Sequence, residues 1–243
     1  MSISFFHIAS IYPKATEIVI ENVRKHHPDN YYFLAIDGNR PEYIDVAKKY
    51  NCDTILYENS LGGTFGTYGW PLENVLRFLE RFKEACLRCN TSHIIMMEDD
   101  VLITRPITLD ETWEQACADT KIGNVIPEQI HILIEQFCSK KPTFKQYGAG
   151  GGSIFNVLTF LNNYDKVTKY FEEIYKLHNE YPPLGYVDCF MNVYYYLCGK
   201  DYSVNTHRTD THNHRPGFDY ETFISNQSND IEIINNYKKY YYE

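Results

Sequence analysis

Apolar and polar residues are arranged in two alternating periods along the first part of the chain. Short runs rich in Ile, Phe, Tyr and Leu at 3–11, 31–36 and 54–57 predict strands. Longer stretches with apolar positions three and four apart predict helices at 15–26 and 41–50. The clearest helix spans 71–87, where Leu72, Val75, Leu76 and Leu79 follow the i, i+3, i+4, i+7 spacing of one apolar face. After it comes His93 and an unbroken apolar run, Ile94, Ile95, Met96, Met97, which ends abruptly in Glu98, Asp99 and Asp100. A short run bounded in this way reads as a strand buried on both faces, as in parallel sheets covered by helices. Strand and helix alternate throughout, which predicts an α/β fold: a mainly parallel, right-handed sheet with helices on both faces.

The grammar changes after residue 103. Thr104, Arg105 and Pro106 mark a turn, 109–122 is a mixed segment, and 129–137 fits a short strand or a short helix. A glycine-rich block, Gly148, Ala149, Gly150, Gly151, Gly152, Ser153, then interrupts the pattern. Two further helices are expected, at 157–181 with a break near Asn162 and Asn163, and at 188–198. No repeat and no linker rich in Pro, Gly or Ser divides the chain. One domain is therefore expected over 1–243, with a first region at 1–103, a second at 104–215 and a tail at 216–243.

A hydrophobic content of 44% in 243 residues is enough for a sizeable core and argues against disorder. The net charge of -9 argues against duplex nucleic acid as a partner, because that would require a basic surface to displace condensed counterions. The 7 cysteines are scattered and odd in number, so a disulfide framework is not expected and a reducing compartment fits better. Cys86 and Cys89 form C-x-x-C late in a helical pattern with no second pair to complete a zinc site, and read as helix thiols. There is no basic segment followed by a long apolar one at the start, and no transmembrane stretch, so a soluble, cytoplasmic protein is expected. The 22 tyrosines are numerous, several of them in the tail.

Candidate chemistry clusters at predicted strand ends. In Glu98-Asp99-Asp100, alternate carboxylates can reach one cation while the middle one points elsewhere, and hard oxygen ligands suit Mg²⁺ or Mn²⁺. The alternative is a solvated acidic turn. The block at 148–152 is dense in glycine, which lets backbone approach a ligand closely; it is neither a P-loop nor a dinucleotide fingerprint. A second glycine group, Asn59, Ser60, Leu61, Gly62, Gly63, lies beside Phe65, Tyr68 and Trp70, and would bracket a sugar or base, or fill an interface. Asp37 ends the second strand, where it would bind a nucleobase or ribose or make an Asx-turn with Gly38 and Asn39. Asp188 opens a helix, as a cap or as a carboxylate that orients or deprotonates a hydroxyl. Finally, His207, Arg208, His212, His214 and Arg215 lie close together in an acidic chain; imidazole can complete a metal shell and guanidinium matches phosphate.

Together these residues resemble a glycosyltransferase of the GT-A fold over residues 3–215, and the chain looks most like the small soluble glycosyltransferases of large DNA viruses that modify capsid glycoproteins. The resemblance implies a nucleotide-sugar-binding region at 1–103 and an acceptor and catalytic region at 104–215. It implies a nucleotide-diphosphate sugar, most simply a UDP-sugar, as donor and a glycan or glycoprotein as acceptor. Mn²⁺ or Mg²⁺ would be held by Asp100, by Glu98 and by a late histidine, His212. Donor contacts would come from Ser10, Asp37, Asn59, Gly62, Gly63, Glu98, Asp99, Gly150, Gly151, Gly152 and Arg208, and Asp188 would be the catalytic carboxylate. One departure is Val187, which stands where the acceptor-side motif usually has a second acid. A nucleotidyltransferase that makes nucleotide-sugars would instead carry a basic, glycine-rich stretch after the first strand, where this chain has Ser10, Ile11, Tyr12, Pro13 and Lys14. A non-catalytic sugar-binding or capsid-associated module would account for the aromatics but not for the acidic triplet.

Overall fold

The computed structural model describes residues 3–9, 13–62, 69–99, 101–103, 106–117, 125–138, 142–143, 147–177, 182–201, 203–204 and 211–212. The first half alternates as the periodicity predicts: β1 (Ile3–Ala9), α1 (Pro13–His26), β2 (Tyr32–Asp37), α2 (Glu42–Lys49), β3 (Asp53–Tyr57), α3 (Leu72–Arg88) and β4 (His93–Met97). There follow β5 (Leu102–Ile103), β6 (Gln115–Cys117), α4 (Glu128–Cys138), β7 (Ile154–Asn156), α5 (Val157–Leu177), a 3-10 turn (Pro182–Gly185), α6 (Val187–Leu197), β8 (Ser203–Val204) and β9 (Thr211–His212).

Seven strands form one sheet in the order β3-β2-β1-β4-β7-β6-β8, which draws on both regions of the chain. All neighbours are parallel except β7, which runs antiparallel to β4 and to β6. The fold is thus the expected mixed α/β architecture with a mainly parallel sheet. Burial sorts the strands as their sequences require. β1, β2 and β4 are buried on both faces and sit centrally, whereas β3 is half-buried along its length and forms an edge.

The pleat sends alternate residues into two cores. Phe5, Leu34, Ile36, Ile95 and Met97 face α1 and α2, together with Ile18, Val19 and Tyr43. Phe6, Phe33, Ala35, Ile94 and Met96 face the other layer, made by α3, α4, α5 and α6. On α3 the buried stripe is rotated from the expected one: Val75, Phe78, Leu79 and Phe82 are buried, while Leu72 and Leu76 lie at its margin. Aromatic packing sets this angle. Phe82 meets Phe6 edge-on at 5.1 Å, Phe160 at 4.8 Å and Phe155 at 5.8 Å between ring centroids, and so joins β1, α5 and β7.

The segment that fitted strand or helix is α4, with Ile130, His131, Leu133 and Ile134 buried at helical spacing. The break expected near Asn162 is absent: α5 runs through it, and Asn163 donates from Nδ2 to the carbonyl of Thr159 at 2.9 Å, satisfying its amide within the helix. Truncation of Phe82 tests the packing between layers. Phe82→Ala is expected to cost about 3–5 kcal/mol, read as a lowered urea midpoint.

Candidate functional site

The site is built where β4 leaves the sheet. Val101 donates its N–H to the carbonyl of Glu98 at 3.1 Å, turning the chain after β4. The alternation of β4 separates the first two acids. Asp99 follows the side of Ile95 and Met97, and its Oδ1 accepts hydrogen bonds from Thr16 Oγ1 at 2.6 Å and His7 Nε2 at 2.9 Å. Glu98 follows the side of Ile94 and Met96 and lies against the glycine block: a Cβ at position 151 would come within 3.0 Å of its Cγ and Cδ and would collide with Val101. Position 151 therefore has no room for a side chain.

Backbone pairing holds the glycine block at this edge. Gly152 donates to the carbonyl of Met96 at 2.7 Å and Met96 donates to that of Ser153 at 3.0 Å, extending the β4–β7 ladder past Ile154. Gly152 adopts φ +84, a left-handed conformation that glycine takes without steric cost. At its other end the block is tied to α6. Gly148 donates to Asn192 Oδ1 at 2.8 Å, Ala149 to the carbonyl of Asp188 at 3.0 Å, and Asn192 is steadied by Gln115 Oε1 at 2.8 Å.

Asp188 is in the first turn of α6, where a negative charge is favoured by the helix dipole, and the N-cap position itself is Tyr186. A Cβ at position 150 would lie 3.2 Å from Asp188 Oδ1. Gly150 and Gly151 thus run between Glu98 and Asp188, and three stretches far apart in sequence meet at one point. Tyr147 borders them; burial, then the nearby Cys189 and Asp188, push its phenol up to about 12.

Asp37 and Asn59 occupy a neighbouring position at the ends of β2 and β3. The Asp37 carboxylate accepts from Leu61 N at 2.9 Å, from Ser60 Oγ at 2.7 Å and from the Arg81 guanidinium, which also donates to the carbonyl of Asn59. Its partners lie in the loop after β3 and on α3 rather than in the Gly38-Asn39 turn, whose N–H groups go to the carbonyl of Tyr57 at 3.0 and 2.9 Å. Gly62 accepts from Trp70 Nε1 at 3.0 Å, and Trp70 N donates to the carbonyl of Gly185 at 3.0 Å, sewing this loop to the turn before α6. A groove of about 350 Å³ lined by Tyr57, Asn59, Leu76, Arg77 and Arg81 opens beside it and does not include Glu98 or Asp188.

Arg81 and His7 were not singled out in the sequence, although both carried a signal. Arg81, 3% exposed, falls within the apolar stripe of α3, and His7 interrupts a buried strand; each needs a buried polar partner. Ser10, Gly63, Asp100 and Arg208 lie outside the described residues, as do His207, His214 and Arg215. Of His212 the backbone is described: β9 pairs antiparallel with β5, placing His212 opposite Leu102 and Thr211 opposite Ile103. The late segment is thereby joined to the strand that follows the acidic turn. Among the described residues no group of three His, Cys, Asp or Glu could hold a metal ion. Cys86 is buried, with its thiol pushed well up by burial, an environment that disfavours a thiolate ligand.

No family model and no curated protein matches the sequence. Similar solved structures include S. aureus TarS 1-349, at 13% identity and TM-score 0.42 over 67% of this chain and 49% of that one. Galactosyltransferase LgtC in complex with donor and acceptor sugar analogs gives 12% identity and TM-score 0.45 over 70% of this chain and 64% of that one. An active-site mutant of LgtC gives 15% identity and TM-score 0.46 over 78% of this chain and 69% of that one. The chain spans about half of the TarS form and about two thirds of LgtC.

Removal of one partner of the Asp37–Arg81 pair leaves the other buried and charged. Arg81→Ala is expected to cost about 3–5 kcal/mol in urea unfolding, and the paired replacement Asp37→Asn with Arg81→Met to recover most of it.

Proposed function

We propose that the chain is a metal-dependent glycosyltransferase that moves a sugar from a nucleotide-diphosphate donor, most simply a UDP-sugar, to a hydroxyl of a glycan or glycoprotein. The observation that carries this reading is the meeting of Glu98, Gly150, Gly151 and Asp188 just beyond the carboxyl end of β4, the edge where α/β sheets take their ligands.

The donor set fits a divalent cation. Glu98 and Asp100 offer hard oxygens, and His212, on a strand paired beside the acidic turn, would add an imidazole as in the resemblance. Bound Mn²⁺ or Mg²⁺ would supply positive charge opposite the diphosphate as it leaves. The chain's own groups do the remaining work. Arg208 would grip diphosphate oxygens with its planar fork. Asn59 and Gly62, beside the Asp37 network, would face the nucleotide together with Ser10 and Gly63. Gly150 to Gly152, which carry no side chains, would let the donor sugar approach the backbone closely. Asp188, beside Gly150 on the α6 side, would orient the acceptor hydroxyl or take its proton as it attacks the anomeric carbon.

Calorimetric titration with UDP and a panel of nucleotide-sugars in Mn²⁺, then in EDTA, tests the donor and the metal together. Binding of one nucleotide that disappears in EDTA is expected, and absence of nucleotide binding under both conditions would overturn the donor assignment. Asp100→Ala should abolish the metal-dependent component; undiminished binding would remove Asp100 from the metal site. Asp188→Asn should leave donor binding intact while slowing UDP release during transfer by roughly 10²–10⁴-fold. A normal turnover rate would eliminate Asp188 as the catalytic carboxylate.

A further inference from the structure

We propose that His7 and Thr16 are positioning residues of the acidic turn: by holding the middle carboxylate, Asp99, on the α1 side of the sheet, they aim Glu98 at the glycine block. This role rests on the metal assignment above.

The β1–β4 register sets His7 opposite Met97, the last residue of β4, and the pleat directs both towards the α1 core. Asp99, two residues further on, returns to the same side and meets His7 Nε2 at 2.9 Å and Thr16 Oγ1 at 2.6 Å. A carboxylate can only accept, so Nε2 of His7 must carry a hydrogen. The other ring nitrogen, Nδ1, lies 2.8 Å from the Tyr32 hydroxyl. Burial pushes the Tyr32 phenol well up and keeps it protonated, so it can donate. His7 thus bridges the Tyr32 hydroxyl and Asp99, while Thr16 donates to the same Asp99 oxygen.

His7 and Thr16 are fully buried and the Asp99 side chain is 11% exposed, which makes the arrangement costly to rearrange. Adjacent carboxylates repel one another unless one is held by donors. With the middle one fixed on internal donors, the turn cannot rotate about Asp99, and Glu98 stays on the opposite face against Gly151. Asp99 is then an anchor whose charge is used inside the protein, rather than a group that contacts the donor.

Titration of the full-length chain with Mn²⁺ alone, followed by the electron paramagnetic resonance signal of the free ion, tests this role. Melting is measured on the same samples. His7→Ala and Thr16→Val are each expected to raise the Mn²⁺ dissociation constant about 10–100-fold, the usual effect of losing a group that orients a ligand. His7→Gln and Thr16→Ser, which retain a donor, should recover most of the affinity. A purely structural role would lower the melting temperature without changing the affinity of the folded protein. Wild-type affinity in folded His7→Ala and Thr16→Val would overturn the proposal; should His7→Ala fail to fold, the nearly isosteric Thr16→Val decides the question. A wild-type chain that does not bind Mn²⁺ would instead overturn the metal assignment, and this role with it.

Discussion

Two backbone hydrogen bonds between Met96 and the glycine block hold the candidate site together. Parallel strands all end at the same edge of a sheet, so an antiparallel strand inserted among them must begin there. β7 is that strand, and the residues just before it, Gly150 to Ser153, are consequently delivered beside the end of β4. The same block carries Gly148 and Ala149 to α6, so Asp188 reaches Glu98 through one continuous piece of backbone. The parallel part of the sheet supplies an edge, and the reversed strand furnishes it with chemistry.

Four described carboxylates lie near this edge. Asp37 is neutralised by Arg81 and further bonded by Ser60 and Leu61, and Asp99 is bonded by His7 and Thr16. These acids shape loops. Glu98 and Asp188 stand instead on either side of Gly150 and Gly151. An acidic chain concentrates negative potential readily. Here Asp37 and Asp99 accept from internal donors, while Glu98 and Asp188 flank the glycine block, the face proposed above for a cation or a hydroxyl.

The pattern of apolar residues was sufficient for β1 to β4 and the helices between them, because central strands and amphipathic helices are defined by burial along their own length. It failed where tertiary packing overrides local pattern. The stripe of α3 turned because Phe78 and Phe82 bury more surface than Leu72 and Leu76, and α5 continued through Asn162 and Asn163 because its Asn163 amide is satisfied within the helix. At the site, the acids and glycines announced themselves by clustering and by their position after strands. Their supports did not. His7, Thr16 and Arg81 are single polar residues in apolar surroundings, and a linear sequence does not show which partner, decades of residues away, each will find.

The bond from His7 to Asp99 joins residues 92 positions apart. No local contact in the turn can substitute for it, since its anchor comes from β1 and its second donor from α1. The chain must therefore bring β1 and α1 against the end of β4 before Asp99 has these partners, at the entropic cost of closing a long loop. In the unfolded ensemble the same three acids are merely a flexible cluster of charge. The placement of Asp99 is a property of completed topology, so a lesion in the first strand, distant in sequence, can alter the turn.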